Sequence, residues 1–271
     1  MIAVLCERAT DRPPGLDDLP VDFRYCAADG LSDAVRGAQG LMLWDFFSTA
    51  VRDAWAYADS LEWIHVTAAG VDTLLFDELR DSDVLVTNAR GVFERPIAEY
   101  VLGAVIAHAK DSLRSFDLQR GHQWQHRETQ SILGAKALIV GTGAIGRATA
   151  RLLRAAGLEV RGAGRVARSG DPDFGEVVAS SKLSAEVGWA DHVVLAAPLT
   201  DATRGLIDAG VFAAMRPGTH IVNIARGPIV DNAALLAAVR TGRIAATLDV
   251  FEGSKPVIAR AHAARIPRDH C

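Results

Sequence analysis

The sequence predicts an α/β fold with two domains, each built on a parallel sheet. Three observations predict it. The chain has 271 residues, of which 49% are hydrophobic, which is enough for about two domains with sizeable cores. Short β-branched or aliphatic runs alternate with amphipathic segments, as in strands joined by crossover helices. These runs lack strict apolar–polar alternation, so the predicted strands are covered on both faces.

The first domain is predicted over residues 1–94. Its strand candidates are the runs "IAVLC", "DFRYC", "GLMLW", "EWIHV" and "DVLVTN". Helices are predicted between them at residues 32–38, 48–58 and 72–80. Because strands and helices alternate, parallel pairing is expected.

The second domain is predicted over residues 95–252, followed by an atypical tail at 253–271. It opens with a long helix in "RPIAEYVLGAVIAHAKD", where Pro96 suits the first turn. Apolar residues recur there at helical spacing: Ile97, Val101, Leu102, Val105 and Ile106. Five further runs predict strands: "AKALIVG", "LEVRGAG", "ADHVVLAAP", "THIVNIARG" and "IAATLDVF".

The stretch "ALIVGTGAIGRATARLLRAAG" contains a Gly-x-Gly-x-x-Gly pattern between a predicted strand and a predicted helix. Gly141 permits a tight turn, Gly143 lets the backbone approach a pyrophosphate, and Gly146 lets helix and strand pack closely. The helix amino terminus would present free N–H groups and partial positive charge to the phosphates. The pattern in this context predicts dinucleotide binding; the alternative is a glycine-rich turn that binds nothing.

The residues after the second strand of this domain indicate which dinucleotide is bound. An NAD site would place Asp or Glu there for the ribose 2′-hydroxyl. Here the strand ends in Gly164, followed by Arg165 and then Arg168. A guanidinium can bind a 2′-phosphate, whereas a carboxylate would repel it, so NADP(H) is predicted as cofactor, with NAD(H) as the alternative. Alternatively, both arginines are solvated loop charges.

Composition narrows the classes of partner. A net charge of −4 argues against a nucleic-acid surface, because phosphate binding needs a concentrated basic field. The longest apolar stretch, "IAEYVLGAVIAHA", is shorter than the roughly 20 residues that a membrane span needs. Three cysteines without metal-type spacing, and an amino terminus without a basic leader, predict a protein of the reducing cytoplasm.

Several longer motifs together resemble the D-isomer-specific 2-hydroxyacid dehydrogenases. They are "WIHVTAAGVDTL", "VLVTNARGVFERPIAEYVLG", "AAPLTDATRGLID", "NIARGPIVDNAALLAAVRTGRI" and "LDVFE". The resemblance implies a flavodoxin-like substrate domain and a Rossmann cofactor domain, a doubly wound parallel sheet, that face each other across a cleft. It also implies hydride transfer between a nicotinamide and a small 2-keto or 2-hydroxy acid. The sequence looks most like the members that reduce small 2-keto acids such as glyoxylate or hydroxypyruvate.

The resemblance also implies residue roles. Arg226 matches the family's catalytic arginine, and its planar fork suits a 2-oxo carboxylate. The loop "TAAGVD" matches the segment whose backbone N–H groups hold that carboxylate, so Ala69, Gly70 and Val71 are candidate substrate-binding residues. The cofactor contacts carried over by motif position are Ala144, Ile145, Pro198, Ile224, Ala225 and Asp249. Each also has a structural explanation, such as an ordinary ion pair for Arg226, special backbone angles for the loop and strand ends for Pro198 and Asp249.

No metal is predicted. His122 and His126, in "HQWQH", have the spacing of two ligands on one helix, but no acidic or cysteine partner is evident. We interpret both as solvated side chains.

The tail departs from the family's pattern after Phe251. The family places a glutamate before a proline there, and further on a Pro-His pair whose histidine is the acid/base. The residues found are Ser254, Lys255 and Pro256, and Glu252 comes too early. His262 and His270 are the remaining candidates for the acid. A truncated or frame-shifted carboxyl terminus is the hypothesis that explains this.

The functional prediction is therefore a reductase of small 2-keto acids that uses NADP(H) and has low activity, because the family's catalytic Glu and His are not recognisable. The alternative is a nucleotide-binding relic that turns nothing over. No nucleic acid or membrane is expected as a partner. The resemblance implies a homodimer formed through the helix after Pro96.

Overall fold

The computed structural model describes residues 1–72 and 74–251. The chain forms two compact units, Met1–Phe93 and Glu94–Cys271. The division lies one residue before the domain boundary expected from the sequence. Each unit contains its own sheet.

The first unit is built on a five-stranded parallel sheet with the strand order β2-β1-β3-β4-β5. This is the order of flavodoxin-like folds. The strands are β1 Ile2–Leu5, β2 Phe23–Cys26, β3 Gly40–Leu43, β4 Trp63–Val66 and β5 Leu85–Asn88. The α-helices are α1 Leu31–Ala34, α2 Ala50–Ala54 and α3 Asp77–Arg80, and 3₁₀ turns lie at Ala28–Gly30 and Trp55–Tyr57.

All five strand predictions for this unit are confirmed, but its helices are shorter than predicted. Consecutive residues of β1, Ala3, Val4 and Leu5, are all fully buried, so both faces of the sheet are covered. The prediction of doubly covered strands is therefore confirmed for β1, whereas the edge strands β2 and β5 are partly exposed.

The second unit carries a seven-stranded sheet with the order β12-β11-β10-β6-β7-β9-β8. The strands are β6 Lys136–Val140, β7 Glu159–Gly164, β8 Arg168–Asp171, β9 Gly175–Ala179, β10 His192–Leu195, β11 Thr219–Asn223 and β12 Ile244–Leu248. The α-helices are α4 Glu94–Ala109, α5 Ser112–Arg120, α6 Ala144–Ala155, α7 Leu183–Glu186, α8 Ala209–Ala214 and α9 Asn232–Arg240. Short 3₁₀ helices lie at Ser180–Lys182, Val187–Trp189 and Gly227–Ile229.

The position of β6 within this sheet defines the binding edge. The chain runs from β6 to β7 on one side, and later to β10 and β11 on the other side, always in parallel. Strand order therefore reverses at β6, and the crevice beyond the carboxyl ends of β6 and β10 is a topological switch point, where open α/β sheets bind ligands. Val193, Val194 and Leu195 of β10 are fully buried, which makes the centre of the sheet rigidly packed.

The sequence did not predict β8 and β9. They form an antiparallel hairpin whose register shifts between Ser169 and Asp171, and β8 is the edge strand. The segment "RSGD" of β8 has no apolar alternation, and Gly170 and Gly175 adopt positive φ of 74° and 70°. Neither the hydrophobic pattern nor β-propensity therefore indicates a strand.

The long helix predicted after residue 95 is α4. Of the residues that the helical spacing predicted for its apolar face, Val101 and Val105 are fully buried, Ile97 and Leu102 are partly buried, and Ile106 is 39% exposed. No helix in the described ranges combines the length and apolarity needed to cross a bilayer.

Candidate functional site

The glycine loop between β6 and α6 has the geometry that the Gly-x-Gly-x-x-Gly pattern predicts. Gly141 has a φ of +114°, and a Cβ on it would lie 2.5 Å from backbone atoms of Ala196 and Ala197. A Cβ on Gly146 would lie 2.0 Å from the carbonyl oxygen of Gly141. Both positions therefore require glycine, one for the turn and the other for close packing of the helix on the loop.

Gly143 differs from its two neighbours in the pattern. A Cβ added there would meet no atom of the described chain within 4 Å, so the backbone is open to an approaching ligand. Gly143 is also the N-cap of α6 in an extended conformation, and no described side chain caps the helix. The first amides of α6 and the helix dipole therefore face an open position that suits an anion. These residues fit the pyrophosphate of a dinucleotide.

Ala144 and Ile145 form the first turn of α6, at the same open position. Beyond the neighbouring strand, Pro198 lies in the exposed loop that follows β10. The hydroxyl of Thr203 donates to the carbonyl oxygen of Pro198 at 2.7 Å and fixes this loop. The glycine loop and the Pro198 loop thus lie side by side at the switch point, because β6 and β10 pair in register.

The end of β7 carries cations and no acid. Gly164 ends the strand, and a Cβ on it would lie 3.1 Å from the Thr142 hydroxyl oxygen of the glycine loop. Arg165 is exposed and makes no hydrogen bond or ion pair with the described part of the chain. Arg168, in contrast, is not a solvated loop charge: it begins β8 and its guanidinium binds the carboxylate of Asp171.

Arg226 follows β11 in a loop that a buried side chain holds. Asn223 is 1% exposed; its Oδ1 accepts from the N–H of Ala225 at 3.0 Å, and its Nδ2 donates to the carbonyl oxygen of Arg226 at 3.2 Å. Arg226 Nη1 donates to the carbonyl oxygen of Ala225 at 2.7 Å. Ile224 and Ala225 are buried beneath this loop. Sequence reasoning missed Asn223, although it lies within the motif "NIARG".

Asp249 directly follows β12, and its N–H donates to the carbonyl oxygen of Asn223 at 3.0 Å. Its side chain is exposed. Tyr100 of α4 lies near enough that the Asp249 carboxylate, after burial, contributes to a raised pKa of the Tyr100 phenol. The residues predicted after β6, β7, β10, β11 and β12 thus share one edge of the second unit's sheet.

The predicted substrate loop belongs to the first unit, where it follows β4. The side-chain amide of Asn88 donates to the carbonyl oxygen of Ala69 at 2.6 Å, and the backbone N–H of Ala89 donates to the carbonyl oxygen of Ala68 at 3.1 Å. Gly70 and Val71 are partly buried. The end of β5 thus supports this loop.

The family model for the D-isomer-specific 2-hydroxyacid dehydrogenase NAD-binding domain matches residues 102–267. The chain belongs to the D-isomer-specific 2-hydroxyacid dehydrogenase family. The matched range includes the glycine loop, Arg226 and Asp249, and it extends past Phe251 into the tail.

Comparisons with individual proteins agree with this membership. The chain is 34% identical over 189 residues to the (S)-sulfolactate dehydrogenase of Chromohalobacter salexigens, covering 68% of this chain and 60% of that protein. It is 33% identical to a solved family structure from Aeromonas salmonicida, with a TM-score of 0.79 over 95% of this chain and 83% of the other. A family structure from Xanthobacter autotrophicus in complex with NADPH and MES is 29% identical, with a TM-score of 0.77, covering 95% and 84%.

The tail positions compared with the family's glutamate and acid/base histidine lie outside the described residues. These are Glu252, Ser254, Lys255, Pro256, His262 and His270, together with the rest of the tail at 253–271. The histidines considered as metal ligands, His122 and His126, are exposed in the segment after α5, and the segment from 123 to 130 is not helical.

A cluster of three histidines, the buried His192 and His220 and the partly buried His108, lies away from the candidate site. His192 begins β10 and His220 lies near the start of β11, at the amino ends of the strands. Their Nδ1 atoms are 3.4 Å apart, and the ring of His108 from α4 stacks on His220 with centroids 4.3 Å apart. Burial, and then the neighbouring His108, lower the pKa of His192 to about 4. Within the described chain, no group of three or more His, Cys, Asp or Glu side chains could hold a metal.

Proposed function

We propose that this family member reduces small 2-keto acids, such as glyoxylate or hydroxypyruvate, with NADP(H) as the preferred cofactor. The observation that carries the proposal is the glycine loop and the end of β7 together. The loop leaves an open, anion-binding position at Gly143, and the strand beside it ends in a run with Arg165 and Arg168 instead of an acid.

A bound nicotinamide would supply the hydride for the keto carbon. The residues proposed to hold the dinucleotide are Gly141, Gly143, Ala144, Ile145, Gly146 and Gly164, with Pro198, Ile224, Ala225 and Asp249. The amide groups at the start of α6 would neutralise pyrophosphate charge. The guanidinium groups of Arg165 and Arg168 would bind the 2′-phosphate by charge-assisted hydrogen bonds.

Arg226 is the proposed anchor of the 2-keto acid. Its planar fork can donate two hydrogen bonds to a carboxylate and the adjoining carbonyl, and it polarises the carbonyl toward the developing alkoxide. Asn223 holds the backbone at Ala225 and Arg226, and the hydrogen bond from Arg226 Nη1 to the carbonyl oxygen of Ala225 orients the guanidinium. The backbone N–H groups of Ala69, Gly70 and Val71 are the proposed second contact of the substrate carboxylate.

Low activity is part of the proposal. The motif that carries the family's glutamate and acid/base histidine is not recognisable in residues 252–271. The acid is then either replaced by another residue or supplied by water, and the loss of general-acid catalysis typically costs about 10²–10⁴-fold in rate.

The test measures NADPH oxidation with glyoxylate and with hydroxypyruvate, together with fluorescence titration of NADPH and NADH. We expect slow turnover, and Arg226→Ala should lower kcat/KM by about 10²–10³-fold, the range for loss of one transition-state donor. Arg240→Ala, which removes an exposed arginine at the end of α9, is the matched control and should leave the rate unchanged. NADPH binding without any turnover would instead identify a nucleotide-binding relic.

A second titration tests the cofactor preference. Arg165→Ala should weaken NADPH binding while NADH binding stays constant, because only NADPH carries the 2′-phosphate. Tighter binding of NADH than NADPH by the unmodified chain would contradict this preference.

We also propose a homodimer. Tyr100 of α4 is 42% exposed, Leu113 and Phe116 of α5 are 71% and 56% exposed, and Trp124 beyond them is 89% exposed. Exposed apolar residues clustered on neighbouring elements are typical of a protein interface. Light scattering should give twice the chain mass, and Phe116→Asp should reduce it; a monomeric unmodified chain would contradict the proposal.

A reducing compartment such as the cytoplasm is the proposed location. Cys6, directly after β1, and Cys26, at the end of β2, are free thiols, and both are buried. Burial raises the pKa of the Cys26 thiol to about 11, so it is unreactive at neutral pH.

A further inference from the structure

We infer that Asp171 is a positioning residue, which holds the guanidinium of Arg168 in one orientation for the 2′-phosphate of NADP(H). This inference rests on the proposed cofactor preference and adds a specificity-determining residue to it. Asp171 lies at the end of β8, in the hairpin that the sequence did not predict.

The contact between the two side chains is two-pronged. Arg168 donates from Nε and from Nη2 to Oδ2 of Asp171, at 3.0 and 2.7 Å. This occupies one edge of the guanidinium. Arg168 Nη1 makes no hydrogen bond to the described residues, and the side chain is 37% exposed. One edge of the fork is therefore fixed while the other is available to an anion.

Asp171 is itself held from several directions. Arg147 of α6 donates from Nη1 to Oδ1 at 2.9 Å and from Nη2 to Oδ2 at 3.0 Å. The backbone N–H groups of Asp173 and Phe174 also donate to Oδ1, at 3.1 and 3.3 Å. The side chain of Asp171 is only 3% exposed. Since its oxygens are fully engaged, the carboxylate has one orientation and imposes it on Arg168.

The charge of Asp171 persists at any physiological pH. The hydrogen bonds from Arg147, and then those from Arg168 and the backbone, outweigh burial and hold the pKa of this carboxyl well below its usual range. Asp171 therefore stays an acceptor for Arg168. Arg147 lies directly after Gly146 in α6, so the same carboxylate connects the hairpin to the helix that begins at the glycine loop.

The sheet register brings Arg168 near the ribose end of the candidate site. Arg168 pairs with Val177 of β9, and Val177 pairs with Gly162 of β7. Two strand spacings of about 4.8 Å separate Arg168 from β7. Arg165 lies closer in sequence to the end of β7 but has no contact within the described chain that orients it.

The two arginines therefore lose different amounts of side-chain conformational entropy when they bind a phosphate. Arg165 must lose its side-chain freedom when it binds a phosphate, whereas Arg168 has lost most of it already in the folded chain. Without the charge of Asp171, the side chain of Arg168 should be mobile in the free protein and lose that freedom when it binds the phosphate. For one ordered side chain, the expected rise in the NADPH dissociation constant is about tenfold.

The experiment titrates NADPH and NADH, by fluorescence, into the full chain, three test variants and one control variant. Asp171→Asn keeps the size of the side chain but removes its charge. Arg168→Ala removes the proposed phosphate contact, and the double variant tests whether the first acts through the second. Asp173→Asn is the matched control, because Asp173 binds Arg147 and Arg151 but not Arg168.

We expect Asp171→Asn to weaken NADPH binding about tenfold, with NADH binding unchanged. In the Arg168→Ala background, Asp171→Asn should have no further effect on the ratio of NADPH affinity to NADH affinity. Asp173→Asn should leave the ratio unchanged. Thermal unfolding of each variant establishes that it folds; if Asp171→Asn does not, Asp171→Glu, which keeps the charge but displaces it, should weaken NADPH binding selectively.

Separate outcomes overturn the inference and the proposal beneath it. Equal weakening of both cofactors by Asp171→Asn would mean that Asp171 only stabilises the hairpin. A further loss of NADPH affinity in the double variant would mean that it does not act through Arg168. An unmodified chain that binds both cofactors equally, or an Arg168→Ala variant with full NADPH affinity, would instead overturn the cofactor assignment of Arg168, and the inference with it.

Discussion

Acidification from about pH 7.5 to about pH 5 should destabilise this protein through the buried His192, whose charged form the fold disfavours. The ring faces His220 of β11 and His108 of α4, and Asp191 precedes it in the chain. Burial and His108 lower the pKa of His192, whereas Asp191 opposes them. The pKa of His220 is lowered well below its usual value by burial, then by His108 and His192, so His220 contributes with the same sign.

The size of this destabilisation follows from the pKa values of His192 in the folded and the unfolded chain. Its pKa is about 4 in the folded chain and 6.5 in the unfolded chain, so between these values the unfolded chain binds more protons. Stability is therefore complete above pH 6.5 and is lost as the pH falls through this range. At about pH 5, protonation of the unfolded state at this one site removes about 2 kcal/mol of unfolding free energy.

Urea unfolding at the two pH values, for the original chain and for His192→Asn, measures this loss. The asparagine can still bond to His220 but cannot be charged, so the decrease in unfolding free energy should be smaller by about 2 kcal/mol. His126→Asn removes an exposed histidine and should change nothing. If His192→Asn lost as much stability on acidification as the original chain, the buried ring would not be the cause.

Two further predictions concern the second unit. Gly143→Ala should keep its melting temperature but lose dinucleotide affinity, since the added Cβ meets only open space in the chain. Gly146→Ala should lower the melting temperature as well, because its Cβ would lie 2.0 Å from the Gly141 oxygen. Equal melting temperatures of the two variants would contradict this prediction. Asp231 caps α9 by accepting from Ala233 and Ala234, so Asp231→Ala should cost about 1 kcal/mol of unfolding free energy in urea titrations.

Much of the fold could be predicted because its strands are apolar in the sequence. The runs at β1, β6 and β10 are buried throughout or nearly so, and their apolar pattern indicates strands with both faces covered. The helices of the first unit were predicted too long because amphipathic segments continue past the last helical hydrogen bond: residues 48–58 became α2 and a separate 3₁₀ turn at Trp55–Tyr57.

The candidate site was only partly predictable. The glycine loop could be identified because three glycines at fixed spacing serve a local turn, and the local sequence specifies that turn. The contact between Arg147 and Asp171 joins residues 24 positions apart, and no local pattern indicates it. The same holds for His108, His192 and His220, which come from three separate elements and meet only when the sheet forms.

The irregular hairpin has a consequence for the protein in solution. A sheet edge normally exposes a row of backbone donors and acceptors that can capture a strand of another molecule. Here the outermost strand is four residues long, its register is interrupted, and it carries an arginine and an aspartate. A strand of another molecule would therefore find few backbone hydrogen-bond partners along β8. This should protect the folded protein from fibrillar assembly at this edge of the sheet.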